Sequence, residues 1–500
     1  MRSDRDTAPL RLYPVRTSRL LGLLGLLGLA ACVSPEGIEP RSKIADPASL
    51  SAGRTLQGVP VRPAAWPGTD WWKSLGDPQL GLLIEEALSG SPTLGMAQAR
   101  VDNAASAIFL ARGKLGLSTE FDANVTRQRN SRFGTSVNLA GRSFTMYELS
   151  LDFGYQFDFW DKNKSALEAA VGHLKAAEVD VQAARLALSA AVAHAYVQLA
   201  LYGEQLDIAR ASLGQRDSVL QLAKSRHDNG LDTAVDLRLA EAGLPDMRAR
   251  ITALQGAMTL SRNELAALMG KGPDRGLDIA APRLQGLADV ALPTVLPADL
   301  LGRRPDIVAS RWRIEASQKD IASAKAAFYP NINIAAYVGL QSLGFGHLLQ
   351  SGSQIFGIGP AVQLPLFGGA TLKGALTARD AEYDLAVEQY NQLLIESLRQ
   401  VADQVASLRS IDAQRSDTEQ SLAAENQAYQ LATARYQNGL SNRLSVLLSE
   451  TQLLARRMQI AELRARRFDA SINLARALGG GFDEAGPPQT ALKSESTKTP

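Results

Sequence analysis

Four histidines, one cysteine and two related charged turns are the groups in this 500-residue chain with the types to do chemistry. His173, His194, His227 and His347 show no paired ligand spacing, and neither a phosphate loop nor a nucleophile elbow is present. Gly344-Phe345-Gly346 is only the start of a GxGxxG pattern and reads as loop chemistry. No enzyme, no metal and no cofactor are therefore expected. Cys32 is the single cysteine, so it can form no internal disulfide, and its chemistry must concern something outside the chain. The turns are RHDNGLDTAVDL from Arg226 and RYQNGLSNRLSV from Arg435. Asn229-Gly230 and Asn438-Gly439 most simply end helices, glycine supplying a left-handed cap. The charges beside them, Asp232, Asp236 and Arg443, suit weak contacts that can be made and broken, since exposed pairs contribute about 0–1 kcal/mol each.

Cys32 has a telling context. Arg11, Arg16 and Arg19 precede an uncharged run from Leu20 to Ala31, the layout of a secretory signal and too short for a bilayer span of about 20 residues. The run ends Leu29-Ala30-Ala31-Cys32, which resembles the lipobox of bacterial lipoproteins, whose cysteine becomes the acylated N-terminus. The alternative is an ordinary cleaved signal with an incidental cysteine. Val33 and Ser34 follow instead of the Asp that favours inner-membrane retention in such proteins, so the outer membrane is the expected address. Removing the five Arg and two Asp of residues 1–31 takes the formal charge from +2 to −1, which leaves no global nucleic-acid signal. With 45% hydrophobic and 21% charged residues the chain is globular in type. No window beyond the signal is expected to cross a membrane as a helix.

The elements that position these groups are duplicated. The two turns lie 209 residues apart, and at the same offset Glu241 matches Glu450, Gly270 matches Gly479 and Lys164 matches Lys373. PTLGMAQARV from Pro92 likewise pairs with PDIVASRWRI from Pro305. The chain divides accordingly into a signal (1–31), a lipidated extension and equatorial segment (32–91), a first repeat (92–269), a linker (270–304), a second repeat (305–481) and a polar, disordered tail (482–500). Residues 375–438 lack Gly and Pro and read as one helix of about 96 Å at 1.5 Å per residue. Its counterpart is expected from about Ser165 to Asp228, with shorter helices over Asp236–Met269, kinked at Pro245, and Arg443–Leu478. With Thr93–Leu115, these short helices are expected to stack end to end beside the long ones.

Between short and long helix each repeat carries two strand candidates. From Tyr147 to Phe159 every second residue is apolar, set against Glu148, Ser150, Asp152, Gly154, Gln156 and Asp158. Phe121, Ala123 and Val125 alternate with Glu120, Asp122 and Asn124, and the second repeat offers NINIAAYVGL from Asn331 and FGIGPAVQLPLF from Phe356. A half-buried soluble sheet is one reading. The anchor, the strand length and the lack of a covering amphipathic helix favour a lipid-facing barrel segment. Four strands cannot close a barrel, for which about eight is the minimum, so the barrel must be shared between chains.

Together with the lipobox, DWWKSLGDPQLGLLIEEAL from Asp70, YQFDFWDKNKSALEAA from Tyr155, RRPDIVASRWRIEASQKDIASAKAAFYPNI from Arg303 and the second turn resemble the TolC family of outer-membrane channels, in its lipoprotein branch of the NodT and OprM kind. The resemblance implies a mainly α fold carrying a membrane β-barrel, in which three chains build a twelve-stranded barrel and a periplasmic helical tunnel. It implies a homotrimer in contact with outer-membrane lipid, docked to a periplasmic adaptor (membrane fusion) protein and an inner-membrane pump of the RND class. The function implied is a passive exit duct for small toxic compounds. A protein-secretion duct is the alternative within the family, and a soluble coiled-coil adaptor the alternative outside it.

On this reading Arg226, Asn229, Gly230, Arg435, Asn438 and Gly439 are adaptor-contacting tips. Asp232, Asp236, Arg443 and Leu444 are the expected gate, acids of one hairpin facing Arg443 of a neighbouring copy. The chain departs from the family at Leu117, often Pro, and at Leu447-Leu448-Ser449, commonly Leu-Leu-Asp, so closure must use other groups. Arg127, Arg129, Arg132 and Arg142 flank the first strand-to-strand loop as solvated charge, with contact to anionic lipopolysaccharide the lesser reading.

Overall fold

The computed structural model describes residues 34–50, 54–57, 66–133, 140–285, 302–364 and 368–484; Cys32, the signal and the tail beyond Glu484 lie outside them. The described elements run α1 (Pro78–Gly90), α2 (Pro92–Gly113), β1 (Ser118–Arg129), β2 (Ser143–Phe157), α3 (Lys162–Asp228), α4 (Ala234–Leu268), α5 (Pro305–Ala326), β3 (Asn331–Ser342), β4 (Gln354–Gln363), α6 (Gly369–Gln437) and α7 (Arg443–Ala477).

The duplication is visible in the lengths. α2 and α5 each have 22 residues, α4 and α7 each have 35, and α3 and α6 have 67 and 69. Helix α4 runs unbroken through Pro245, and α3 passes without interruption through Gly172, Gly203 and Gly214. At Gly172 the glycine is a packing requirement, because a Cβ there would lie 2.9 Å from Ala316 Cβ on α5. Helix α1 was not anticipated as a separate element. Its local signal is Asp77, whose carboxylate accepts from the Gln79 amide, followed by Pro78 at the first helical position.

The described chain forms two compact units, each drawing matching pieces from both repeats. One combines Asn103–Leu174 and Arg313–Val387 with the described residues up to Lys43; the other combines Ile44–Asp102, Lys175–Trp312 and the described residues from Glu388. The first unit holds the sheet, whose strands are joined in the order β1-β2-β3-β4, each pair antiparallel. In it Ile38 of the N-terminal extension packs on Ile321, Phe328 and Leu376, and the Arg41 and Ser42 amides donate to Asp384 Oδ1 at 2.9 Å.

The second unit is helical, with a core built by Leu80, Leu83 and Ile84 of α1, Val192, Tyr196 and Leu199 of α3, and Leu265 of α4. The Tyr196 hydroxyl donates to Asp77 Oδ2 at 2.6 Å, tying α1 to α3. Arg304, buried, donates to Gln400 Oε1 and to the Ala477 carbonyl. Residues 482–484, expected in the tail, are held in place: the Phe482 amide donates to Gly479 and Asp483 pairs with Arg303 at 3.3 Å.

One expectation is corrected. A window of α3 is long and apolar enough to cross a membrane by length and composition. Half of that window is buried inside the protein, and the helix also carries His194, whose Nδ1 lies 2.6 Å from Asp469 Oδ1 on α7. Its apolar character is that of a packed core helix, rich in the small residues that allow close approach.

Candidate functional site

The sheet is the first candidate, and its register sorts its residues onto two faces. Directly paired residues share a face, so Phe121, Ala123 and Val125 of β1 align with Leu151, Leu149 and Tyr147 of β2; Leu149 and Leu151 align with Leu340 and Val338 of β3; and Val338 aligns with Phe356 of β4. Over this stretch the face is apolar, and much of it is open to solvent in the single chain, with Phe121 66%, Phe356 83% and Ile358 80% exposed. Such a contiguous apolar surface marks an interface with protein or lipid. The other face carries Glu120, Asp122, Asn124, Glu148, Ser150 and Asp152, where Gln341 donates to Glu148 and Ser150 to Asp152. Gly357 serves this face: a Cβ there would lie 2.6 Å from the Tyr337 ring that covers it.

Among the described residues the sheet is also open at both edges, since β1 and β4 each have one strand neighbour. Unpaired edges are a liability in water and untenable in hydrocarbon. From Tyr147 to Phe157 the apolar face of β2 extends about 34 Å along the strand. At a tilt of about 40° that is about 25 Å of height, the apolar band of an outer-membrane barrel. Rings mark both ends of the band. Tyr147 meets Phe345 edge-on at 5.7 Å, and at the opposite end Phe157 stacks on Phe159 at 5.5 Å while Trp160 stacks on Tyr329 at 4.6 Å.

The two helical turns are the second candidate, and their backbones match hydrogen bond for hydrogen bond. The Leu231 amide reaches the Arg226 carbonyl and the Leu440 amide the Arg435 carbonyl, both at 2.8 Å, across Gly230 and Gly439 at φ +73° and +75°. Asn229 and Asn438 each donate from the side chain to the carbonyl four residues back. Both asparagines, both glycines and Arg435 are exposed, as an interaction tip requires.

The charged groups differ from expectation. Arg226, expected among the exposed contacts, turns inward: its Nε donates to Asp232 Oδ1 at 3.0 Å, its Nη1 to the Tyr436 carbonyl, and its guanidinium lies 4.6 Å over the Tyr436 ring. The Tyr436 hydroxyl donates to Asp232 Oδ2, and burial raises the phenol's pKa. Asp236 is held in a capping box with Thr233, whose hydroxyl and amide hold its carboxyl below the ordinary aspartate value. Arg443, expected to form exposed pairs, is only 4% exposed in its own chain. It lies 4.0 Å from Glu450 Oε2, seven residues on and so on the same helix face, and Arg216 of α3 donates to Glu450 Oε1 at 3.3 Å. Burial lowers the Arg443 pKa. Leu444 beside it is 48% exposed. The buried Arg216–Glu450–Arg443 group escaped sequence reasoning, because Arg216 is 234 residues from Glu450.

Comparison with known proteins agrees with this geometry. The sequence profile described as "Outer membrane efflux protein" matches residues 83–271 and 296–480. The multidrug resistance outer membrane protein MdtP of Escherichia coli (strain K12) is 32% identical over 436 residues, 85% of this chain and 88% of MdtP. The fusaric acid resistance protein FusA of Burkholderia cepacia is 36% identical over 374 residues, 73% of this chain and 69% of FusA. Among solved structures, the outer membrane protein VceC of Vibrio cholerae superposes with a TM-score of 0.78 at 38% identity, covering 84% of this chain and all of VceC's.

Proposed function

The chain belongs to the outer membrane efflux protein family, and from that premise we propose that it is the outer-membrane exit duct of a tripartite efflux system, carrying small toxic compounds. It is a channel component and not an enzyme, as its family is. The observation that carries the proposal is the four-stranded sheet with an exposed apolar face and two unpaired edges. Three copies joined β1 to β4 give twelve strands, enough to close a barrel. The acidic and amide face would then line a water-filled lumen and the apolar face would meet lipid. The relatives named for multidrug and fusaric acid resistance support small molecules over polypeptides as cargo.

The exposed turns at Asn229-Gly230 and Asn438-Gly439, with Arg435, are the surface offered to a periplasmic adaptor, which couples the duct to an inner-membrane pump of the RND class. Cys32, acylated, anchors the chain to the outer membrane. The gate is assigned to Asp232, Asp236, Arg443 and Leu444. Because Arg443 is anchored inward on Glu450, it would act by fixing the first turn of α7 and presenting Leu444 as an apolar constriction.

Fractionation to the outer membrane as a trimer that resists unheated detergent electrophoresis tests the duct, and toxicant sensitivity of a deletion strain tests the cargo. A monomer in the soluble periplasmic fraction overturns the reading. Cys32→Ser should abolish labelling by a fatty-acid precursor. Asp236→Ala with Arg443→Ala should raise single-channel conductance in planar bilayers; unchanged conductance with assembly intact moves closure elsewhere.

A further inference from the structure

The loop end of the sheet has a charge pattern that conduction does not call for. Between Ala123 and Met146 the sequence contains four arginines, Arg127, Arg129, Arg132 and Arg142, and no acid; from Asn331 to Leu372 it contains no Asp, Glu, Lys or Arg at all. All four arginines are exposed, and none has an ion-pair partner among the described residues. The acids of the first hairpin, Glu120, Asp122, Glu148 and Asp152, stand on the opposite, lumen-type face. Closing the barrel would not supply a counter-charge, because β4, the strand offered to β1 of a neighbouring copy, is uncharged.

Position along the strand is the second observation. Arg127 pairs with Thr145 and Arg129 with Ser143, which puts both on the face of Phe121, Ala123 and Val125, the face turned toward lipid. They lie about 7 and 14 Å beyond Val125, just past the level of the Tyr147–Phe345 ring pair. A lipid-facing arginine is costly at the bilayer midplane and nearly free at the interface, where its guanidinium meets headgroups. The β1–β2 and β3–β4 connections, at the same end of the sheet, expose large apolar side chains, Phe133 fully and Phe345 and Leu349 at 72% and 82%. All four basic residues are arginine and none is lysine, the choice suited to planar, bidentate contact with phosphate.

We propose that the loop end of this sheet is a binding surface for a phosphorylated, multiply acylated lipid of the surrounding outer leaflet. Arg127 and Arg129 hold its phosphates from the barrel wall, Arg132 and Arg142 from the turn, and Phe133, Phe345 and Leu349 pack on its acyl region. The inference rests on the outer-membrane reading above and adds the lipid it selects.

The test uses full-length protein extracted from the outer membrane and lipopolysaccharide as probe, counting molecules retained per chain by native mass spectrometry. Wild type is expected to retain lipopolysaccharide after exchange into phosphatidylcholine nanodiscs. The variant R127Q/R129Q/R132Q/R142Q should bind at least about 25-fold more weakly, the equivalent of two of its four arginine contacts at roughly 1 kcal/mol each. Inorganic phosphate at millimolar concentration should not displace the bound lipid. If the fourfold variant fails to assemble, R132Q/R142Q, outside the strands, carries the test with a loss of at least about fivefold, the equivalent of one of its two contacts. Equal retention by wild type and either assembled variant overturns the proposal, as does release by inorganic phosphate, which would mark a simple anion site. Failure of the wild type to reach the outer membrane counts against the family-based localisation instead, so the two failures are distinguishable.

Discussion

The two turns share a backbone and have opposite electrostatics. Aligned at the 209-residue offset, Arg226 corresponds to Arg435, Thr233 to Asn442, Asp236 to Ser445 and Glu241 to Glu450. The left-handed glycines and the six-to-one amide bonds superimpose in kind. The side chains do not: Arg226 is sequestered on Asp232 while Arg435 is exposed, and Glu241 pairs on the surface with Arg238 while Glu450 is buried between Arg216 and Arg443. Duplication preserved what the chain needs to reverse direction. Divergence changed the side chains around that backbone, and the two turns interlock through Arg226 and Asp232 of the first and Tyr436 of the second.

The largest test of this difference compares the paired glutamates. Glu450→Ala leaves buried Arg443 without its acid and Arg216 with Asp246 alone, which should cost about 3–5 kcal/mol of local stability. Glu241→Ala removes only an exposed pair, worth about 0–1 kcal/mol. Hydrogen exchange of the amides in the first turns of α4 and α7 reads both. Next come the arginines: Arg226→Ala strips a charged hydrogen bond from buried Asp232 and should loosen the turn by about 1.5–3 kcal/mol, while Arg435→Ala should fall within about 0.5 kcal/mol of wild type. Equal effects within either pair would mean that the turns are electrostatic equivalents. Gly230→Ala and Gly439→Ala, in contrast, should cost the same, about 1–2 kcal/mol each, because both positions sit in the left-handed region. Unequal costs there would break the claim that the backbone is shared.

Much of this architecture was legible in sequence, for local reasons. Residues 375–438 lack helix breakers, β2 alternates with period two, and Asn-Gly marks both helix ends, so helices, strands and turns could be placed from neighbours alone. Partners that settle charge were not legible. Nothing near Arg443 in the chain announces Arg216, nothing near His194 announces Asp469, and Asp232 finds Tyr436 across 204 residues. Expecting exposed, breakable pairs followed from treating turn charges as solvated, which holds for Arg238–Glu241 and fails for Arg443. Helix α1 is announced only by its cap, Asp77 followed by Pro78, inside a stretch with no long helical period of its own.

The smallest expected effect separates the turns by titration. Both short helices begin with a side-chain cap, Thr233 with Asp236 on α4 and Asn442 with Ser445 on α7, but only the first contains an ionisable group. Asp236 Oδ2 accepts from the Thr233 hydroxyl and from the Thr233 amide at 3.1 Å, and these bonds hold its pKa below the ordinary aspartate value of 3.8. A carboxylate whose folded pKa is depressed adds stability that is fully present above the unfolded value and is lost as pH falls through the folded one. The first turn should therefore hold its cap at neutral pH and loosen only below about pH 4. Asp236 is partly solvated, so the loss should be small, about 0.5 kcal/mol at the low end of cap energies. The second cap, Asn442 to the Ser445 amide at 3.2 Å, has no proton to gain and should be flat over the same range. Hydrogen exchange corrected for intrinsic pH dependence should show protection of the first turn of α4 falling relative to that of α7 between pH 5 and pH 3. Asp236→Asn should abolish the difference, and a fall of equal size at both turns would assign the acid sensitivity to a group they share.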